Sequence, residues 1–219
     1  SNIRKQAENH GARFVDEDAV KVSGSFEDSF MVETSGKNTY RSKSIILATG
    51  ASAKWLGIES ERRLIGKGVS ACATCDGFFF KDKVIAVVGG GDSAMEEATF
   101  LTRFASKVYV IVRKSKEELR ASKFMQKKAF ENPKIEFLFN SEVKEVLGEN
   151  FVEGLRISRK VNENGQEKTE EYVLDDVRGL FLAIGHEPNT KFLNGFVETD
   201  EKGYIKSFGE SKTSKEGVF

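Results

Sequence analysis

The apolar positions of the chain fall into short runs separated by polar and glycine-rich connections. Residues Lys83–Val88 form a near-continuous apolar run, typical of a strand buried inside a parallel sheet. Further on, alanine and leucine recur at helical spacing, which predicts a helix with one buried face. The residues on that face are Ala94, Ala98, Leu101 and Ala105.

The same stretch continues with a regular succession of elements that predicts its fold class. We predict a strand at 108–112, a helix at about 121–130, a strand at 135–139, meander strands at 142–147, 151–159 and 169–174, and a final apolar strand at 179–185. Asn164-Gly165 predicts the hairpin turn between the last two meander strands. This order predicts an α/β, Rossmann-like nucleotide-binding domain of three layers, with a parallel sheet and a β-meander.

Residues 1–50 follow the second half of the same plan. A helix is predicted at 3–9 and short strands at 19–22 and 29–33, ending in the apolar segment 44–50. The endings Ile46-Leu-Ala-Thr-Gly50 and Phe181-Leu-Ala-Ile-Gly185 are near copies. We interpret residues 1–50 as part of a second domain of the same type, without its opening strand, glycine loop and helix. Chance similarity between two β-rich stretches is the alternative.

Composition narrows the class of protein. The 219 residues contain 34 basic and 34 acidic side chains, so nothing indicates a general nucleic-acid binder. No apolar run reaches the roughly 18 residues of a membrane span, and the first residues have no apolar signal-peptide core. The only two cysteines are close neighbours, unlike those of a secreted disulfide scaffold. We therefore expect a cytoplasmic protein that binds neither nucleic acid nor membrane.

The segment Gly89-x-Gly91-x-x-Ala94 predicts a phosphate-binding turn. It follows a predicted strand and opens a predicted helix, as a dinucleotide-binding fingerprint must. Gly89 permits the tight turn, Gly91 allows the pyrophosphate to approach the backbone, and Ala94 lets the helix pack closely. Asp92 and Ser93 complete the loop at the positive end of the helix. A glycine turn used only for packing is the alternative.

The residues after the next strand indicate which nucleotide the loop binds. An NAD site usually has an acid at this point, whereas here the strand runs into Arg113 and Lys114, with Arg120 further on. Basic groups bind a 2′-phosphate, so the segment favours NADPH. Glu117 and Glu118 dilute the cluster, and a solvated start of a basic helix remains the alternative.

Cys72 and Cys75 have the C-x-x-C spacing of a reversible disulfide. Asp76 adjoins Cys75 and could move a proton to or from a departing thiolate. Zinc would need two more ligands, and a pair of inert thiols is a further alternative. Phe78 and Phe79 follow directly, either as an apolar docking surface for a protein substrate or as core residues.

Four motifs together make the chain resemble the low-molecular-weight thioredoxin reductases of bacteria, and the resemblance covers nearly the whole chain. The motifs are Cys72–Phe79, Gly89–Ala98, Ala48–Gly50 and Ala183–Thr190. The resemblance implies an FAD domain made of residues 1–52 and 183–219, interrupted by an NADPH domain at 53–182. It also implies a homodimer.

The resemblance further implies that NADPH reduces FAD, that the flavin reduces the cysteine pair, and that the pair reduces thioredoxin. Cys75 would face the flavin, with Cys72 as its disulfide partner and Asp76 as proton donor, while the cysteine that attacks thioredoxin stays open. Phe78 and Phe79 would contact thioredoxin. The cofactor-binding residues would be Gly89, Gly91, Asp92, Ser93, Ala94, Arg113, Lys114, Arg120, Thr49 and Gly50.

The chain departs from the family pattern in two respects. Val112-Arg113-Lys114 stands where the family often has His-Arg-Arg, and two extra residues precede Arg120. Both main FAD anchors are absent, so we expect the 219-residue chain alone to bind FAD poorly and to have little reductase activity. The alternatives are a non-catalytic NADPH-binding module and the flavoprotein reductase of a peroxiredoxin system, although the Ala-Thr pair between the cysteines favours thioredoxin.

Overall fold

The computed structural model describes residues 2–163 and 165–219, which form two compact units. Unit 1 comprises the described residues up to Ser52 together with Glu187–Phe219, and unit 2 comprises Ala53–His186. Within those two described ranges, no helix has the length and apolar character needed to cross a membrane. In chain order the elements are α1 (Asn2–Asn9), β1 (Ala19–Ser25), β2 (Ser29–Thr34), β3 (Thr39–Ser42), β4 (Ala51–Ala53), α2 (Glu59–Leu64), β5 (Val69–Ser70), α3 (Ala73–Asp76), β6 (Val84–Val88), α4 (Asp92–Leu101), β7 (Lys107–Ile111), α5 (Lys123–Phe130), β8 (Ile135–Leu138), β9 (Ser141–Leu147), β10 (Gly154–Glu163), β11 (Gln166–Leu174), β12 (Val177–Leu182) and β13 (His186–Pro188), with 3₁₀ turns at Gly77–Phe80 and Lys191–Leu193.

Unit 2 is built on a five-stranded sheet in the order β5-β12-β6-β7-β8, in which every pairing is parallel. Val87 of β6 pairs with Val110 on one side and with Phe181 on the other. The chain progresses outward from β6 to β7 and β8, and later returns on the opposite side of β6 as β12. The direction of progression therefore reverses between β6 and β12, where α/β sheets of this type bind ligands.

Alternate side chains of this sheet pack against two different layers. Ile85 and Val87 belong to a core shared with α4 and α5, whereas Ala86 belongs to a core shared with the meander β9–β11. The predicted helix face is confirmed at Ala94, Ala98 and Leu101, which lie on α4 and are fully buried. Ala105 is also fully buried, but the prediction that it belongs to the helix is wrong, because α4 ends at Leu101. The three-layer α/β fold with its parallel sheet and antiparallel meander is therefore confirmed.

Unit 1 contains the antiparallel sheet β1-β2-β3. Val32 of β2 pairs with Val22 of β1 and with Tyr40 of β3. Its buried cluster is small and consists of Val22, Phe30, Leu193, Val197 and Val218. The ring of Phe30 meets that of Phe196 edge-on, with 6.1 Å between centroids.

Most predicted elements are confirmed with end shifts of a few residues, but the closing strand of residues 1–50 is not formed. The apolar segment 44–50 is not a strand: Ile45 forms an isolated parallel bridge to Val218, and the Leu47 amide donates to Phe219. The strand predicted at 151–159 is confirmed as β10 with shifted ends: it starts at Gly154, because residues 148–153 connect β9 to β10, and it continues to Glu163. The turn prediction falls on Asn164, which lies outside the described residues; the flanking strands β10 and β11 do pair antiparallel.

Candidate functional site

The glycine loop, the cysteine pair and the basic segment each follow a parallel strand of unit 2. Gly89 directly follows β6, while Cys72 and Arg113 lie two residues beyond β5 and β7. Carboxyl ends of parallel strands share one edge of a sheet, so the three motifs open at the same edge. The remaining predicted cofactor-binding residues, Thr49 and Gly50, lie in unit 1.

The glycine loop contains one enclosed and one open glycine. Gly89 has a φ of +150°, and a Cβ there would lie 2.8 Å from Cβ of Ala94. At Gly91 a Cβ would meet no heavy atom within 4 Å. The first glycine is therefore needed by the fold itself, whereas the space over the second can receive a phosphate.

The open glycine also begins α4, a helix of ten residues. Gly91 is the N-cap, and no side chain in the described ranges accepts a hydrogen bond at this helix start. The Asp92 carboxylate instead accepts from the Ser122 amide, over 2.7 Å, and Ser93 is exposed. The positive end of the helix is thus left with free amide donors, which suit an anion.

The basic segment, residues 113–120, is hydrogen-bonded to the glycine loop through its backbone. The Arg120 and Ala121 amides both donate to the Gly90 carbonyl oxygen, over 3.0 and 3.1 Å. The side chains of Arg113 and Arg120 are exposed and make no hydrogen bond or ion pair within the described part of the chain. Lys114 differs, because its Nζ lies 2.9 Å from Oε1 of Glu118.

Cys72 and Cys75 are joined as a disulfide, with 5.3 Å between their Cα atoms. Cys72 is the N-cap of α3, and its sulfur accepts from the Cys75 amide over 3.3 Å. Cys75 is the more exposed of the two. Among the residues that the structure describes, no group of three or more His, Cys, Asp or Glu side chains could hold a metal ion. The two cysteines thus form a C-x-x-C disulfide at the start of a short helix.

Ser70 positions this disulfide, although no motif in the sequence pointed to it. The side chain is buried at the end of β5, where its Oγ accepts from the Cys72 amide over 3.0 Å. Asp76 is half-buried at the end of α3, and its amide donates to the Cys72 carbonyl oxygen over 3.2 Å. The only available signal for Ser70 was its place two residues before the first cysteine.

The three consecutive phenylalanines after the disulfide have different environments. Phe78 and Phe79 are 68% and 69% exposed, whereas Phe80 is buried and packs edge-on against Phe181. Phe78 also meets the ring of Phe104, at 6.2 Å between centroids. An apolar aromatic surface therefore adjoins the disulfide, and only the third ring belongs to the core.

Helix α4 links the disulfide to the glycine loop. It packs against α3, and a Cβ on Gly77 would lie 2.9 Å from the Leu101 side chain. The same helix carries Glu97, whose Oε2 atom is buried without a hydrogen-bond partner among the described residues. Burial raises the pKa of Glu97 to about 7, and the charge of Glu96 adds to the shift.

In unit 1, Thr49 and Gly50 are held by one asparagine. The Asn189 side-chain amide donates to the Thr49 carbonyl oxygen over 3.1 Å. The Asn189 backbone amide donates to the Gly50 carbonyl oxygen over 3.0 Å. Gly50 has a φ of +65°. These contacts fix the backbone of the turn that ends the apolar segment 44–50.

Comparisons with known proteins agree with this geometry. The chain is 48% identical over its whole length to a thioredoxin reductase of Streptomyces coelicolor, and 47% identical over 94% of its length to one of Mycolicibacterium smegmatis. It spans 65% and 63% of these relatives. Among solved structures, thioredoxin reductase from Giardia duodenalis superposes with a TM-score of 0.76 at 38% identity, covering all of this chain and 69% of that one.

The resemblance stated from the cysteine and glycine motifs is therefore confirmed. The family model for pyridine nucleotide-disulphide oxidoreductases matches residues 2–219. The chain belongs to the pyridine nucleotide-disulphide oxidoreductase family.

Proposed function

We propose that this chain carries the nicotinamide-nucleotide site and the redox disulfide of an NADPH-dependent thioredoxin-disulfide reductase. The observation that carries the proposal is the placement of the Cys72–Cys75 disulfide and the Gly89–Ala94 loop at one edge of a single parallel sheet. The similarity to curated thioredoxin reductases supports the substrate. The proposed nucleotide domain is residues 53–182, with 1–52 and 183–219 as parts of an FAD domain.

The overall reaction balances without further reactants. NADPH supplies a hydride, and one proton comes from solution, so that the disulfide becomes two thiols and NADP⁺ is released. The dithiol then reduces a disulfide of thioredoxin: one thiolate attacks to form a mixed disulfide, and the second sulfur displaces the thioredoxin thiolate. Asp76, next to Cys75, exchanges the proton with the departing thiolate.

The residues of unit 2 fit NADPH. The free amides at the start of α4 and the open space over Gly91 receive the pyrophosphate. Asp92, which accepts from the Ser122 amide, and Ser93 flank this phosphate position. The exposed guanidinium groups of Arg113 and Arg120, together with Lys114, receive the 2′-phosphate.

The fit to FAD is much poorer. Thr49 and Gly50 are the residues assigned to it, but residues 1–52 contain no Gly-x-Gly-x-x-Gly segment that could receive its pyrophosphate. We therefore expect the 219 residues alone to bind FAD weakly. Homodimerisation belongs to the same proposal for the complete protein.

The thioredoxin contact is assigned to Phe78 and Phe79. Two adjacent rings that are about two-thirds exposed form an apolar surface next to the disulfide, and aromatic side chains of this kind anchor protein interfaces. We expect Phe79→Ala to raise the KM for thioredoxin while the reduction of Cys72–Cys75 by NADPH stays unchanged. Phe151→Ala, which removes an equally exposed ring, serves as the control.

A thiol count tests the proposed reaction. In the complete flavin-containing protein, NADPH should generate two free thiols per chain, and Cys72→Ser or Cys75→Ser should abolish this while nucleotide binding is retained. If NADPH binds to the wild-type protein and no thiols appear, the chain is a non-catalytic nucleotide-binding module instead. If thiols appear but a peroxiredoxin-type protein accepts the electrons and thioredoxin does not, the partner assignment is wrong.

The 2′-phosphate assignment has its own test. Arg113→Ala should weaken NADPH binding by about 1.5–3 kcal/mol, the value of a lost charge-assisted hydrogen bond, and leave NADH binding unchanged. Arg159→Ala removes the same charge from β10 in the meander and should change neither affinity. Titration calorimetry measures all four values, and equal losses for both nucleotides after Arg113→Ala would reject the role.

A further inference from the structure

Only one of the three cations assigned to the 2′-phosphate already has an acidic partner. Arg113 and Arg120 make no ion pair within the described ranges, whereas Lys114 is paired with Glu118 at 2.9 Å. Before the nucleotide binds, the three basic side chains therefore differ in whether a carboxylate already neutralises their charge. This difference suggests that Glu118 influences which nucleotide the site prefers.

The Glu118 carboxylate is held at both of its oxygens. Oε1 accepts from Lys114 Nζ, and Oε2 accepts from the Ser115 amide over 3.3 Å. The Glu118 amide in turn donates to the Ser115 carbonyl oxygen. The hydrogen bond from Lys114 lowers the pKa of Glu118, so the group is ionised at neutral pH. Glu118 is thus part of the turn, and its charge is directed at Lys114.

The turn lies directly against the glycine loop. Leu119, the neighbour of Glu118, would be 3.3 Å from a Cβ on Gly90, and the Arg120 amide is bound to the Gly90 carbonyl oxygen. The carboxylate and the three cations consequently occupy one short segment beside the phosphate-binding turn. A 2′-phosphate bound by these cations would meet the negative charge of Glu118 as well.

We propose that Glu118 is a specificity-determining residue that reduces the preference of the site for 2′-phosphorylated nucleotides. Glu118 forms an ion pair with Lys114, and the 2′-phosphate must displace this carboxylate to bind Lys114. Its negative charge also repels the 2′-phosphate. A nucleotide with a free 2′-hydroxyl meets neither effect. The inference rests on the proposed NADPH site and predicts that removal of this one charge sharpens the discrimination.

Glu118→Gln tests the proposal, because glutamine keeps the shape and can still accept from the Ser115 amide. The probes are 2′,5′-ADP and 5′-AMP, which differ only in the 2′-phosphate and need no flavin. We expect Glu118→Gln to bind 2′,5′-ADP roughly three- to fivefold tighter, within the range for exposed charge pairs, and 5′-AMP unchanged. The gain should shrink at high salt.

Two controls separate this effect from general electrostatics. Glu117→Gln removes the same charge at the neighbouring position, and the Glu117 side chain has no contact with Lys114 in the described structure. This substitution should therefore change the ratio of the affinities for 2′,5′-ADP and 5′-AMP less than Glu118→Gln does. In a Lys114→Gln background, Glu118→Gln should give a clearly smaller gain, because the pair no longer exists.

The outcomes distinguish this inference from the proposed function. If wild type prefers 2′,5′-ADP but Glu118→Gln leaves the ratio unchanged or lowers it, or if Glu117→Gln has the same effect, the role of Glu118 is rejected and the NADPH site stands. If wild type binds both probes equally or neither, the NADPH assignment fails and the role of Glu118 fails with it. Melting temperatures of all variants verify that each is folded.

Discussion

Two similar segments of the chain are buried to different extents. Phe181-Leu-Ala-Ile-Gly185 and Ile46-Leu-Ala-Thr-Gly50 share their apolar pattern. Phe181 is fully buried in β12 between two neighbouring strands, whereas Ile46 is 79% exposed. A similar apolar sequence therefore forms an interior strand in unit 2, whereas in unit 1 it forms no strand and packs against the core with Leu47 while Ile46 is exposed. The difference shows that packing layers, rather than local propensity, decide the outcome.

The packing of each unit accounts for this difference. In unit 2, α4 and α5 cover one face of the sheet and the meander covers the other, so that consecutive residues Ile85, Ala86 and Val87 are all fully buried. Unit 1 has one small cluster around Phe30. The candidate disulfide and nucleotide residues lie on the enclosed scaffold, which can hold them in fixed positions.

Truncation of the two corresponding side chains is expected to give the largest contrast. Phe181→Ala should lower the free energy of unfolding by about 3–5 kcal/mol, because it leaves a cavity beside Phe80 in a packed core. Ile46→Ala should change it by less than about 0.5 kcal/mol, as expected of an exposed position. Denaturant unfolding of the 219-residue chain measures both, and comparable losses would show that Ile46 is enclosed in solution.

A second contrast between enclosed and open positions lies within the glycine loop. Gly91→Ala should leave the unfolding free energy nearly unchanged, because its Cβ meets no heavy atom within 4 Å. It should nevertheless weaken NADP⁺ binding by about 1–3 kcal/mol, as overpacking does, because the methyl group occupies the space assigned to the pyrophosphate. Calorimetric titration measures the affinity.

Gly89→Ala is the matched control for that experiment. It introduces a side chain at a φ of +150°, beside Cβ of Ala94, and should lower the unfolding free energy by about 1–3 kcal/mol in addition to impairing binding. If Gly91→Ala binds NADP⁺ normally, the pyrophosphate does not pass over this residue and the assigned pose is wrong.

The elements predictable from the sequence are those whose pattern extends over several residues. The apolar run of β6 and the buried face of α4 identified the central layers, because burial on both faces of a sheet leaves a continuous apolar signal. The glycine and cysteine motifs also indicated the candidate site, because each can be recognised within a few consecutive residues. Their chemistry is contained in one short segment each.

The elements that escaped prediction depend on contacts between distant segments. β5 has two residues and α3 has four, too few for any periodicity. β5 forms because the parallel sheet accepts one more strand beside β12, and α3 is held by its packing on α4. Ser70 matters only through the hydrogen bond that this strand makes possible. The sequence shows that Glu118 lowers the net positive charge of the basic segment. Its ion pair with Lys114 could not be predicted, because it depends on the turn in which the Glu118 carboxylate also accepts from the Ser115 amide.

The smallest expected effect concerns Glu97, a polar group on the enclosed helix α4. Its pKa is raised from 4.5 to about 7 in the folded state, so the folded chain retains a proton that the unfolded chain loses between these pH values. Stability from this group therefore falls as the pH rises from about 4.5 to 7 and stays low above that.

Glu97→Gln should flatten this decline and stabilise the chain at pH 8 by on the order of 1 kcal/mol, after allowing for solvent screening of a half-exposed group. Glu96→Gln should have a smaller effect, since that charge is the secondary cause of the shift. Unfolding free energies measured from pH 5 to 8 give the slopes, and a wild-type slope unaltered by Glu97→Gln would mean that this carboxyl is ionised and solvated in the folded chain.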